Sequence, residues 1–178
     1  MKDIKARKYR IGKGRHYSRP WWPRIHFGIY KAIAIDVYVD DLVYDEGKIP
    51  MEDIQDINKL WGFSSGFHHK NSLRIGWYCE EGEVFFYAYL YKDGCRYVKR
   101  LGSARTGIAG FYLVYRGGGN YTLTSVMKET FNKEEVRVDQ TYVQMNTKWG
   151  WGYMLKPYFG GNNTAPRDFE ITIYERRE

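Results

Sequence analysis

Three tyrosines at alternate positions, Tyr87, Tyr89 and Tyr91, fall in the run VFFYAYLY, one hairpin away from Arg74 in NSLRIGW. Side chains two apart on a strand share a face, so the spacing itself gathers these rings. A phenol offers flat apolar area with little side-chain entropy and a hydroxyl to hydrogen-bond, and a guanidinium offers a planar fork for carboxylate or phosphate. If KDG is a three-residue loop with Gly94 at positive φ, Tyr97 faces Tyr89 and Lys99 faces Tyr87. One sheet face then carries Arg74, Tyr87, Tyr89, Tyr91, Tyr97 and Lys99, which suits sugar rings or acidic ligands, or forms a stabilising cross-strand ladder.

His68 and His69 lie in WGFSSGFHHKNSLRIGW, a polar loop that leads straight into that strand. Adjacent histidines on a strand point to opposite faces and do not share a metal, so His68 is expected as a hydrogen-bonding or basic group. The other two histidines, His16 and His26, belong in or beside a basic segment. With no Cys-x-x-Cys pair, no Walker loop and no Ser-His-Asp order, the sequence predicts neither metal nor cofactor. The glycines of YRGGGNY lack the Lys and Ser/Thr of a phosphate loop and read as a hairpin turn. WGWGYMLKPYFGGNNTAP gathers Trp149, Trp151, Tyr153, Tyr158 and Phe159 beside Asn162, as a ligand-binding rim or as an aromatic plug.

The elements that must position these groups are strands. Alternation dominates over Ile25 to Val39, Leu73 to Cys79, Val84 to Tyr91, Arg96 to Leu101, Gly110 to Tyr115, Tyr121 to Val126, Val136 to Met145, Gly152 to Leu155 and Asp168 to Tyr174. MEDIQDINKL, residues 51 to 60, has helical spacing after Pro50 and predicts one short helix. The EEGE turn sets Cys79 opposite Val84, Trp77 opposite Phe86, Ile75 opposite Ala88 and Leu73 opposite Leu90, so the other face of the hairpin is wholly apolar. That face, with Ile171, is the expected core. Cys79 and Cys95 fall at opposite ends of the middle strand, too far apart for a disulfide. The expected fold is all-β, a two-sheet antiparallel jelly-roll sandwich with one short helix.

The 178 residues suffice for one domain, 18% of them are aromatic, and no apolar run is long enough to span a bilayer. The start, MKDIKARKYR, has no secretory h-region, which predicts a cytoplasmic or virion-associated protein. Charge is uneven: residues 1 to 26 carry nine Lys and Arg against Asp3, so nearly all of the net +7 sits there. Residues 1–24 are expected to form a basic arm and 25–178 the sandwich. Such an arm can contact nucleic acid, an anionic glycan or a neighbouring subunit.

NKLWGFSSGFHHKNSLRIGWYCEEGEVFFYAYLYKDG and PYFGGNN together resemble segments of concanavalin-like jelly-roll polysaccharide lyases. That resemblance implies a curved sandwich whose concave face binds an extended acidic polysaccharide. It further implies Arg74 as the carboxylate-neutralising group and Tyr87, Tyr89 or Tyr158 near the base. The family's R-x-E-L-R strand and its Q-I-H or Q-V-H motif are absent. The sequence therefore favours a non-catalytic binding or assembly module, glycan-binding or virion-structural and part of an oligomer, over a polysaccharide lyase.

Overall fold

The computed structural model describes residues 4–20, 22, 24–44, 56–129, 135–147 and 150–177. Twelve strands run in chain order: β1 Lys5–Ile11, β2 Arg24–Phe27, β3 Ala32–Tyr38, β4 Asn58–Ser64, β5 Ser72–Glu80, β6 Glu83–Lys92, β7 Cys95–Ala104, β8 Ile108–Gly117, β9 Asn120–Glu129, β10 Glu135–Gln144, β11 Trp151–Leu155 and β12 Phe169–Arg177. They form two six-stranded antiparallel sheets, ordered β1-β12-β3-β8-β9-β10 and β2-β11-β4-β5-β6-β7. This is the two-sheet sandwich expected from the alternation, and among the described residues its helical element is the 3₁₀ turn Asp40–Leu42.

The inward faces meet in one core. Leu73, Ile75, Trp77, Phe86, Ala88, Leu90 and Ile171 are all buried in it, as predicted. The β5–β6 register is also the predicted one, Cys79 with Val84 through Leu73 with Leu90. Neither cysteine is in a disulfide; Cys79 is buried and Cys95 exposed.

Four local expectations are corrected. Ile25 to Val39 is two strands in different sheets, because Gly28 at φ 79° turns the chain from β2 toward β3. Residues 51–55 of the expected helix lie outside the described residues, while Asn58, Lys59 and Leu60 open β4. That strand is buried along its whole length. Within the basic segment, Lys5–Ile11 is a strand of the sandwich, hydrogen-bonded to β12. The β6–β7 loop is a two-residue turn, Asp93 (φ 51°) and Gly94 (φ 86°), closed by Lys92 opposite Cys95. Tyr97 therefore pairs with Leu90 and Lys99 with Ala88, one residue out of the expected register, which moves both to the other face.

Candidate functional site

The outward face of the second sheet holds a cleft of about 780 Å³ over β4, β5, β6 and β11. Arg74 on β5 stands directly opposite Tyr89 on β6, and Ser72 opposite Tyr91. Gly62 lies opposite Arg74 on β4 and lets the arginine stem cross it closely: a Cβ there would sit 2.7 Å from both Arg74 Cα and Cγ and 2.3 Å from Leu73 O. The Arg74 Nη2 donates to Lys156 O at 2.9 Å, while its buried Nε has no acceptor.

Lys59, the second cation of the floor, comes from β4. Its side chain is nearly buried, with Nζ 5.0 Å from the centre of the Tyr89 ring and 5.9 Å from that of Tyr158. Among the described residues Nζ donates only a long bond, 3.3 Å, to Gly160 O. Burial, helped by the nearby Arg74 charge and opposed by Asp56, lowers its pKa to about 8. Among the described residues no carboxylate forms an ion pair with either Lys59 or Arg74. Burial also lowers the Arg74 pKa to about 10, against the pull of Tyr89, Tyr158 and Tyr91, so the guanidinium stays charged at neutral pH.

Two chain segments wall this floor. Residues 16–18 bring Tyr17 and Ser18 to the rim, with His16 stacked on Tyr158 at 5.4 Å and Tyr17 edge-on to it at 5.1 Å. Lys156 fastens the segment by donating to Pro20 O at 2.8 Å and to Trp22 O. On the other side, the turn after Tyr158 is pinned by Asp56. Its Oδ1 accepts from the backbone N–H groups of Gly161 (2.6 Å), Asn162 (2.7 Å) and Asn163 (3.4 Å), and its Oδ2 from the Asn163 side chain. Burial pushes the Asp56 carboxyl up, but those N–H bonds together hold it below its usual range.

His68 and His69 also line the cleft. They sit in a turn ahead of β5, in the polar loop expected there, and their ring centres lie 4.0 Å apart. Burial, then the His69 and Arg74 charges, lowers the His68 pKa to about 4, leaving it neutral at pH 7. Tyr89 and Tyr158 move the other way. Burial raises Tyr89, reinforced by a hydrogen bond with Tyr91 and opposed by Arg96, and burial raises Tyr158. Their phenols keep their protons and serve as donors.

Of the residues expected to bind, the structure brings together Arg74, Tyr89, Tyr91, His68 and Tyr158. Tyr87 shares the face but lies beyond the cleft. Tyr97 and Lys99 belong to the opposite face of edge strand β7, and Asn162 contributes its backbone N–H to Asp56. The aromatic segment divides: Tyr153 and Tyr158 reach the cleft, while Phe159 is a core plug against Tyr44, Trp77 and Phe169, and Trp149 lies outside the described residues. Lys59, Tyr17 and Lys156 escaped the sequence reading. Lys59 was hidden in a stretch with helical spacing, and the other two lacked a strand period to place them. Among the described residues no cluster of His, Cys, Asp or Glu is suited to hold a metal ion. The chain matches no family model, and no curated protein is significantly similar to it.

Proposed function

We propose that the chain binds an acidic polysaccharide along this cleft without cleaving it. The observation that carries the reading is the pair Arg74 and Lys59: two cations on the floor of a tyrosine-lined groove, neither in an ion pair with a carboxylate among the described residues, and with the Arg74 Nε still lacking an acceptor. Burying a cation without a counter-charge is costly, and a bound uronate or sulfate group would remove that cost. Tyr89, Tyr91, Tyr158 and Tyr17 supply the flat surfaces and hydroxyl donors that sugar rings use.

Elimination chemistry would require a base as well as a carboxylate-neutralising group. Tyr89 and Tyr158 hold their protons more tightly than usual, and His68, at about 4, is a weak base, which favours passive recognition over the lyase alternative.

Calorimetry with alginate and with a heparin-like polymer, beside an uncharged glucan of similar length, tests this. Binding of an acidic polymer, absent for the glucan and weakened about tenfold or more in Arg74→Ala, is expected for a lost charged hydrogen bond. Equal affinity for the uncharged glucan would sink the reading. Growth of ultraviolet absorbance from an unsaturated uronate product, abolished in Arg74→Ala, would replace it with a lyase.

A further inference from the structure

On a surface strand the apolar side chains ordinarily face the core and the polar ones face water. In β2 this order is inverted. Arg24 and His26 turn inward: Arg24 Nη1 lies 4.0 Å from the buried Glu175, and His26 Nε2 donates to Ser64 O at 2.9 Å with its ring edge-on to the core residue Phe63 at 6.3 Å. Ile25 and Phe27 point out and are 58% and 84% exposed. The register sets Ile25 opposite Tyr153 and Phe27 opposite Trp151 on β11. Trp151 in turn packs edge-on against Tyr153 at 5.5 Å and against Phe67 at 5.8 Å. These five large side chains form one ledge on the outer face of the sheet, and an exposed apolar patch of this kind marks a contact surface.

The ledge is continuous with the cleft, because Phe67 and Tyr153 line the cleft as well. Tyr91 lies opposite Ser72, Ser72 lies opposite Ser64, Ser64 Oγ accepts from the Tyr153 N–H at 2.8 Å, and Tyr153 lies opposite Ile25. That line crosses five neighbouring strands, β6-β5-β4-β11-β2. Four strand spacings of about 4.8 Å make it roughly 19 Å long.

We infer that the ledge extends the cleft: an acidic polysaccharide held at Arg74 and Lys59 continues across Tyr153 and Phe67 and lays the apolar faces of its next rings on Ile25, Phe27 and Trp151. The inference rests on the reading of the cleft as a polysaccharide site and adds a minimum ligand length to it. In an acidic sugar the charged groups project from the ring edge while the ring faces present C–H groups, so one chain suits both the cationic floor and the apolar ledge. A sugar ring is comparable in length to one strand spacing, and about four rings are needed to reach from Tyr91 to Ile25.

Calorimetry with length-defined alginate and heparin-like oligomers, from disaccharide to octasaccharide, provides the test. Affinity is expected to rise up to the tetrasaccharide or hexasaccharide and then to level off. Ile25→Ser combined with Phe27→Ser is expected to weaken hexasaccharide binding about tenfold and to leave disaccharide binding unchanged, whereas Phe27→Tyr keeps the hexasaccharide affinity. Both side chains are exposed, so these variants keep their fold, checked by circular dichroism. Arg74→Ala is expected to weaken binding at every length, which reports on the cleft itself. Equal affinity for disaccharide and hexasaccharide, or a hexasaccharide indifferent to the double serine variant, would overturn the extension and leave the cleft reading standing. Binding at no length would overturn both. A dimer in sedimentation velocity that the double serine variant dissociates, with oligosaccharide affinity unchanged, would assign the ledge to a second copy of the chain instead.

Discussion

Lys59 sets how the cleft responds to pH. Its folded pKa, about 8, lies below the ordinary lysine value of 10.5, so its charge is lost early as pH rises. Affinity for an acidic polymer is expected to fall through about pH 8 in the wild type and to be flat there in Lys59→Met, measured by calorimetry in matched salt. His68, already neutral above about pH 5, and Arg74, at about 10, do not change charge at that step. Stability moves the opposite way. Between about 8 and 10.5 the unfolded chain binds more protons than the folded one, so stability rises with pH across that window and the penalty is fully present below it. Lys59→Met should therefore weaken binding while holding or raising the melting temperature at pH 7. Glu175 is the converse case. It is buried between the sheets, 3.8 Å from Arg7 and 4.0 Å from Arg24, and accepts from Trp61 Nε1 at 3.3 Å. Removing it in Glu175→Ala strips two arginines of their counter-charge, and urea unfolding should register a loss of about 3 kcal/mol.

Among the elements, the hairpins differ in how plainly the sequence announces them. The β5–β6 register is legible because Leu73, Ile75, Trp77 and Cys79 alternate in phase with Val84, Phe86, Ala88 and Leu90, and the Glu81–Gly82 turn fits that phase. At Lys92 to Cys95 the same composition admits a two- or a three-residue turn, and Asp93 taking a positive φ beside Gly94 decides for two. Tyr97→Ala and Lys99→Ala are thus expected to leave polysaccharide affinity unchanged, whereas Tyr91→Ala should cost about 1 kcal/mol in the same titration. β4 was illegible for a different reason. Buried on both faces, NKLWGFS shows no alternation, and the bulge between Lys59 and Trp61 breaks what period remains. Gly62 in that strand is the tightest contact beneath Arg74. Gly62→Ala should destabilise the fold by about 2 kcal/mol through overpacking and weaken polymer binding with it.

At the scale of the whole molecule, sheet pairing ties distant stretches of chain together. β1 pairs with β12, the turn at residues 160–163 hangs on Asp56, and Tyr17 and His16 pack on Tyr158. The cleft is thus assembled from segments at both ends of the sequence and its middle, which is why composition and alternation revealed a sandwich but not the walls of its groove. The β1–β12 pairing also sets an order in time. Ile11 is made about 160 residues before its partner Phe169, a delay of roughly 8–30 s at a synthesis rate of about 5–20 residues per second. Throughout that interval the basic strand has no place in a sheet, and neither β3 nor the wall at Tyr17 has its later neighbour. The domain cannot mature vectorially from its beginning. Its earliest-made strand is among the last to be locked, and a ribosome stalled before Phe169 should carry a chain whose residues 5–11 remain open to protease.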